Sequence, residues 1–163
     1  MKTIYLVRHA KSSWEEPGLA DEARPLLPIG IAKTQKVIQY LYDHKIKVDR
    51  ILSSPAVRAL ETAKLIAQGI GYPPDEIIVD RNIYDGHFDP VMDTICSMPD
   101  HFHSLMIFGH NPSITDLAAY LVQSEIEDMP TSAVVCLNFK TDSWKKIREV
   151  RAKLGFFIHP KKL

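Results

Sequence analysis

Cysteine is almost missing from this chain of 163 residues: Cys96 and Cys136 are its only two. They lie far apart in apolar surroundings ("TICSM" and "AVVCLNF"), with neither the CxxC spacing of a redox motif nor paired zinc-ligand spacing. They read as buried, reduced thiols, which excludes a disulfide-stapled secreted scaffold. Net charge is missing too, because 20 Lys and Arg cancel 20 Asp and Glu. No global field therefore argues for nucleic acid or an anionic membrane, and any anion site has to be local. No apolar run approaches the roughly 20 residues of a membrane span. The start, "MKTIYLVRHA", meets Arg8 too early to form a signal-peptide core. Cytoplasm is the expected location. His44, His87, His101, His103 and His159 are scattered without HExxH or similar spacing, so no metal is expected. There is no internal repeat, low-complexity tract or dividing linker, and residues 1–163 are expected to form one domain.

What is present is ordinary globular material, 45% hydrophobic and 25% charged. Thr3 to Val7 reads as a short buried strand, and so do Arg50 to Ser53, Glu76 to Asp80, Ser104 to Gly109 and the "SAVVCLNF" segment. Helical periodicity follows from Pro28 to about Lys45, from Pro55 to "GIGYPP", from Val91 to Met98, and from Pro112 and Ser113 through Val122. Lys11 to Leu27 reads as a long surface loop, and "WKKIREVRA" as a final edge strand. Strands alternating with helices predict a three-layer α/β/α sandwich with a mainly parallel central sheet and an antiparallel portion towards the C-terminal end.

The chemistry gathers where the strands end. The first ends in Arg8-His9; the second in Ser53-Ser54-Pro55, with Arg58 one turn into a helix; the fourth in Gly109-His110-Asn111-Pro112. Ligands of open α/β sheets collect outside the carboxyl ends of the strands. If those ends are adjacent, Arg8, His9, Arg58 and His110 surround one point, beside two helix starts. Two guanidiniums and two imidazoles suit a dianionic phosphoryl group. Singly, each has a blander reading: a solvated strand end, a surface arginine paired with Glu61 or Glu15, a helix-capping turn. Their coincidence at three strand ends is what argues for function.

"LVRHAKSSW" resembles the RHG signature of the histidine phosphatase superfamily, also called phosphoglycerate mutase-like. "SSPAVRALETA" resembles its second block and "FGHNPSI" its third, in family order, from Thr3 to about Phe139. The short length, "RHAKSSW", "ARPLLPIG" and "MPTSAVVCLNF" are most similar to its SixA-type phosphohistidine phosphatase branch, which lacks the helical insertion covering the site in mutases and acid phosphatases. The resemblance implies the phosphoglycerate mutase-like fold and His9 as the nucleophile of a covalent phosphohistidine intermediate. It implies Arg8, Arg58 and His110 as ligands of the phosphoryl oxygens, without metal or cofactor. It also implies Arg24, in "DEARPLLPIG", as a substrate contact, and Ser12 in place of the family's threonine.

Two positions depart from the pattern. The glycine after the first histidine is Ala10 here, a small change. The carboxylic acid that protonates an ester's leaving oxygen has no counterpart in "GHNP"; Asp85 in "NIYDGHFD" is the candidate proton donor, ahead of Asp89, and also reads as a turn-former before Gly86. A weak or missing acid handicaps alkoxide leaving groups most. The resemblance therefore implies phosphohistidine on a protein as the substrate. A small phosphoester of the same superfamily, or a phosphate-binding module without turnover, are the alternatives.

Overall fold

The computed structural model describes residues 1–13, 20–84 and 86–163. Six strands form one sheet: β1 (Lys2–Arg8), β2 (Arg50–Ser53), β3 (Ile78–Val79), β4 (Ser104–Gly109), β5 (Val134–Phe139) and β6 (Lys153–Ile158), in the order β3-β2-β4-β1-β5-β6. β3, β2, β4 and β1 are mutually parallel, whereas β5 runs antiparallel to β1 and β6 antiparallel to β5. Helices α1 (Pro28–Asp43), α2 (Val57–Ile70), α3 (Asp89–Cys96) and α4 (Ser113–Val122) cover its faces. Among the described residues no helix is long and apolar enough to cross a membrane.

Period-two side-chain alternation explains the layers. Ile4 and Leu6 of β1 pack on one face with Val91, Met92, Ile95, Leu117 and Leu121 of α3 and α4. Tyr5 and Val7 pack on the other with Val37 and Leu41 of α1 and Ala63, Ile66 and Ile70 of α2. β1 therefore reads as an unbroken apolar run, because both of its faces are covered. In α2 the buried residues Ala63, Ile66, Ala67 and Ile70 follow the 3,4 spacing of one helix face. Gly71, at φ 81°, ends that helix in the left-handed conformation favourable to glycine. The three-layer α/β/α expectation is met.

Three details correct the sequence reading. "WKKIREVRA" is not the edge strand: Trp144–Glu149 is a 3₁₀ helix, and the edge strand is β6. Trp144 and Ile147 are both fully buried three residues apart, which matches three residues per turn, and Trp144 Nε1 donates to the Phe102 carbonyl at 2.9 Å. The helix after β2 begins at Val57, two residues past Pro55. The segment expected as a surface loop is partly internal: Ser12 bridges to Leu26, Asp21–Ala23 is a 3₁₀ turn, and Ser12, Arg24 and Leu26 are buried.

Candidate active site

The order β2-β4-β1 sets three parallel carboxyl ends side by side, so Ser54, His110 and the Arg8-His9 pair emerge together. The end of β1 is held firmly by backbone bonds. His9 N–H donates to Gly109 O, Arg8 N–H to Ala133 O, and Ser132 N–H to the carbonyls of both Arg8 and His9. Ser132 makes that double contact at φ 62°, an uncommon conformation for a residue with a side chain, and is itself buried against Thr34. Ala10 N–H donates to Thr62 Oγ1 at 2.9 Å, tying the next residue to α2. Ala10 is not among the residues of positive φ, so the alanine brings no backbone strain where the family has glycine.

Arg8, His9, Ser12, Arg24, Arg58 and His110 all line one cavity of about 450 Å³. Of the residues expected at the site, only Asp85 lies outside the described residues. Among the described residues, Asp21, Lys11, Asn111 and Thr131 complete the lining. His9 Nδ1 lies 2.7 Å from the carbonyl of Ala10. A carbonyl only accepts, so Nδ1 carries the proton and Nε2 keeps its lone pair. Burial, then the charges of Arg58, Arg8 and Arg24, lower the His9 pKa to about 4 despite the Ala10 bond, and the ring is neutral at physiological pH. Burial and Arg58 likewise lower His110 to about 3. The two rings are tilted, with centroids 5.2 Å apart.

Among the described residues, Arg8 and Arg58 are positioned by bonds that leave Nε of each without a partner. Arg8 donates through Nη1 to Met129 O at 2.9 Å, and that carbonyl also accepts from Asn111 Nδ2 at 3.0 Å, which links the ends of β1 and β4. Arg58, buried in the first turn of α2, is paired with Asp21 rather than with Glu61; Glu15 lies outside the described residues. Its Nη1 donates to Asp21 O at 2.7 Å and its Nη2 to Asp21 Oδ2 at 3.1 Å. Arg24 Nε donates to Asp21 Oδ1 at 3.1 Å. Arg8 Nε, Arg58 Nε and His110 Nδ1 are buried without a partner among the described residues. Unpartnered buried guanidinium N–H groups are costly, and two of them on arginines that line one cavity describe a local deficit of acceptor oxygens.

Asp21, Ser54 and Tyr84 were not singled out by the sequence. Ser54 Oγ is 2.7 Å from His110 Nε2, and Tyr84 O–H donates to Asp21 Oδ2 at 2.6 Å. The Tyr84 bond, ahead of Arg58 and Arg24, holds the Asp21 carboxyl down at about 2. Asp21 stands three residues before Arg24, at the start of "DEARPL", and this i,i+3 acid–base spacing was the signal available.

Known proteins are similar to this chain in sequence and in fold. The sequence profile of the histidine phosphatase superfamily (branch 1) matches residues 4–94. An uncharacterized protein of Mycobacterium tuberculosis is 30% identical over 142 residues, covering 87% of this chain and 86% of that one. Phosphohistidine phosphatase SixA of Escherichia coli is 21% identical over 133 residues, 81% of each chain. The structure of the protein histidine phosphatase SixA complexed with tungstate superimposes with a TM-score of 0.85 over 98% of both chains, at 18% identity. The fold is thus the SixA-like, phosphoglycerate mutase-like one, and with the profile spanning more than half of its residues this chain belongs to the histidine phosphatase superfamily.

Proposed function

We propose that this protein is a phosphohistidine phosphatase that takes the phosphoryl group of a phosphorylated protein onto Nε2 of His9 and passes it to water. One observation carries the reading: a neutral imidazole whose Nδ1–H is held by a backbone carbonyl lines one cavity together with Arg8, Arg24, Arg58 and His110. Membership of the superfamily supports phosphatase chemistry. The protein-borne substrate is supported by the opening of the cavity, where Asp21 lines the wall with its side chain 48% exposed.

In the first step the Nε2 lone pair attacks phosphorus while the bond to the leaving group breaks and its electron pair departs with that group. Positive charge grows on the His9 ring, and the Ala10 carbonyl stabilises it by accepting from Nδ1–H. Arg8, Arg58 and His110 hold the phosphoryl oxygens, supplying fixed electrostatic stabilisation of a loose transition state, and the step calls for no metal. Arg24 and Ser12, both buried at the cavity wall, are assigned to substrate contact. In the second step water attacks phosphorus, the P–N bond to His9 breaks, and the ring recovers its lone pair as phosphate leaves. Two unpaired cysteines fit a reducing compartment, and we place the protein in the cytoplasm.

The test is a brief exposure to protein carrying radiolabelled phosphohistidine, followed by a denaturing quench. Acid-labile label on the wild type and none on His9→Ala, with faster turnover of phosphohistidine than of a small phosphoester, is the expected result. Faster turnover of the ester overturns the substrate assignment. Binding without label or hydrolysis across pH replaces the enzyme with a phosphate-binding module.

A further inference from the structure

Asp21 is an unexpected group for a phosphoryl pocket, because a carboxylate repels the anion that the arginines attract. It is nonetheless built in. Arg24 of its own turn donates to Oδ1, while Arg58 of α2 and Tyr84, in the segment after β3, donate to Oδ2. Tyr84 in turn packs edge-on against the ring of His110, with centroids 5.4 Å apart. A carboxylate offers about four lone-pair sites. Among the described residues three are used, so one remains on Oδ1. The side chain is 48% exposed, while those of Arg24 and Arg58 are 8% and 6% exposed. Asp21 therefore marks the open side of the cavity.

Arg58 divides this space. Its Nη atoms face Asp21, and its Nε is the unpartnered one. A phosphoryl group held in this cavity, which His9, Arg58 and Asp21 all line, would have the exposed carboxylate as a neighbour. In-line displacement by His9 sends the leaving group away from the buried nucleophile, towards the open side. We propose that the Asp21 carboxylate accepts a hydrogen bond from the protonated imidazole of a phosphohistidine substrate, and so selects a cationic leaving ring. The inference rests on the phosphohistidine reading above.

The chemistry balances without a proton donor. A phosphohistidine ring bears the phosphoryl group on one nitrogen and, when protonated, a hydrogen on the other. His9 Nε2 bonds to phosphorus, the substrate P–N bond breaks, and its electron pair stays on the ring nitrogen. Neutral imidazole then leaves with its remote N–H intact. An alkyl ester instead departs as an alkoxide that needs a proton, which a carboxyl held at about 2 does not carry near neutral pH. Because the ring keeps part of its charge in the transition state, the carboxylate raises kcat/KM by favouring the protonated, reactive form. Tyr84 acts as a positioning residue for it.

The experiment compares kcat/KM of the wild type and Asp21→Asn on a phosphohistidine peptide and on p-nitrophenyl phosphate, across pH. The expected result is a fall of about ten-fold or more in the ratio of the two activities. The alkaline limb of the phosphohistidine profile should also move to lower pH. Tyr84→Phe, which leaves every charge in place, should lower the ratio by a smaller factor, and it carries the test if Asp21→Asn does not fold. An equal loss on both substrates overturns the inference and leaves Asp21 as a support for Arg58. A wild type that prefers the ester overturns the phosphohistidine reading itself, and that is seen before any variant is made.

Discussion

His9 donates from Nδ1 to the carbonyl of the residue that follows it, Ala10, over 2.7 Å. The tautomer of the proposed nucleophile is therefore set by its own backbone, and Nε2 keeps its lone pair. Conserving that geometry does not require protonation, because the ring is already neutral well below physiological pH.

A pH dependence follows. With His9 at about 4 and His110 at about 3, activity on p-nitrophenyl phosphate should persist as pH falls to about 5 and be lost towards 4. Stability should move in the same direction. Both folded-state values lie below the unfolded value of about 6.5, so the unfolded chain binds more protons between about 6.5 and 4. The fold therefore loses stability as pH falls through that window, by roughly 3 kcal/mol from His9 alone. Denaturant titrations at pH 7 and 5 should show the loss, and His9→Gln should flatten it. A slope unchanged in His9→Gln would show that the ring titrates alike in both states.

Ser54 sets the second histidine. Its Oγ accepts from Ala56 N–H at 3.2 Å and lies 2.7 Å from His110 Nε2. When the hydroxyl proton is directed to Nε2, His110 carries its ring proton on Nδ1, a buried atom without a partner among the described residues. Ser54→Ala removes the bond that selects this tautomer. We expect kcat/KM to fall by about ten-fold, with stability changed by about 1 kcal/mol. Ser54→Thr should restore most of the activity. Wild-type kinetics in Ser54→Ala would mean that His110 needs no orienting partner.

The parts of this molecule that were legible in its sequence are those with local causes. β1, β2 and β4 announce themselves as short β-branched and aliphatic runs ended by turns, and Arg8, His9, Arg58 and His110 each follow one of them. Their convergence depended only on parallel neighbours. Asp21 was illegible because its role comes from residues 37 and 63 positions away, Arg58 and Tyr84, and a lone acid in a charged stretch resembles a solvated one. Trp144 was misread for a related reason. Its spacing to Ile147 suits a 3₁₀ turn, but the carbonyl that receives its indole proton belongs to Phe102. Ser132 shows no sequence signal for its positive φ, which its contacts with Arg8, His9 and Thr34 impose.

Gly30 offers the sharpest separation of fold from function. It lies in the first turn of α1, where an added Cβ would collide with the carbonyl oxygen and the nitrogen of Lys11. That backbone follows directly on Ala10, whose carbonyl holds His9, and the Lys11 carbonyl also accepts from Leu27 N–H at 2.9 Å. A methyl group at position 30 must push either α1 or the loop that follows His9, since neither obstacle is a flexible side chain. Gly30→Ala should cost about 1–3 kcal/mol of stability. It should also lower kcat/KM per folded molecule, because the displaced segment is the one that orients the imidazole. Gly69→Ala is the comparison: its Cβ would meet the Ile38 side chain, away from the cavity lining. That variant should lose stability while the folded fraction keeps its kinetics. Activity measured against the folded fraction from denaturant titration distinguishes the two. Unchanged kcat/KM in folded Gly30→Ala would show that the approach of α1 to Lys11 supports the fold without positioning His9.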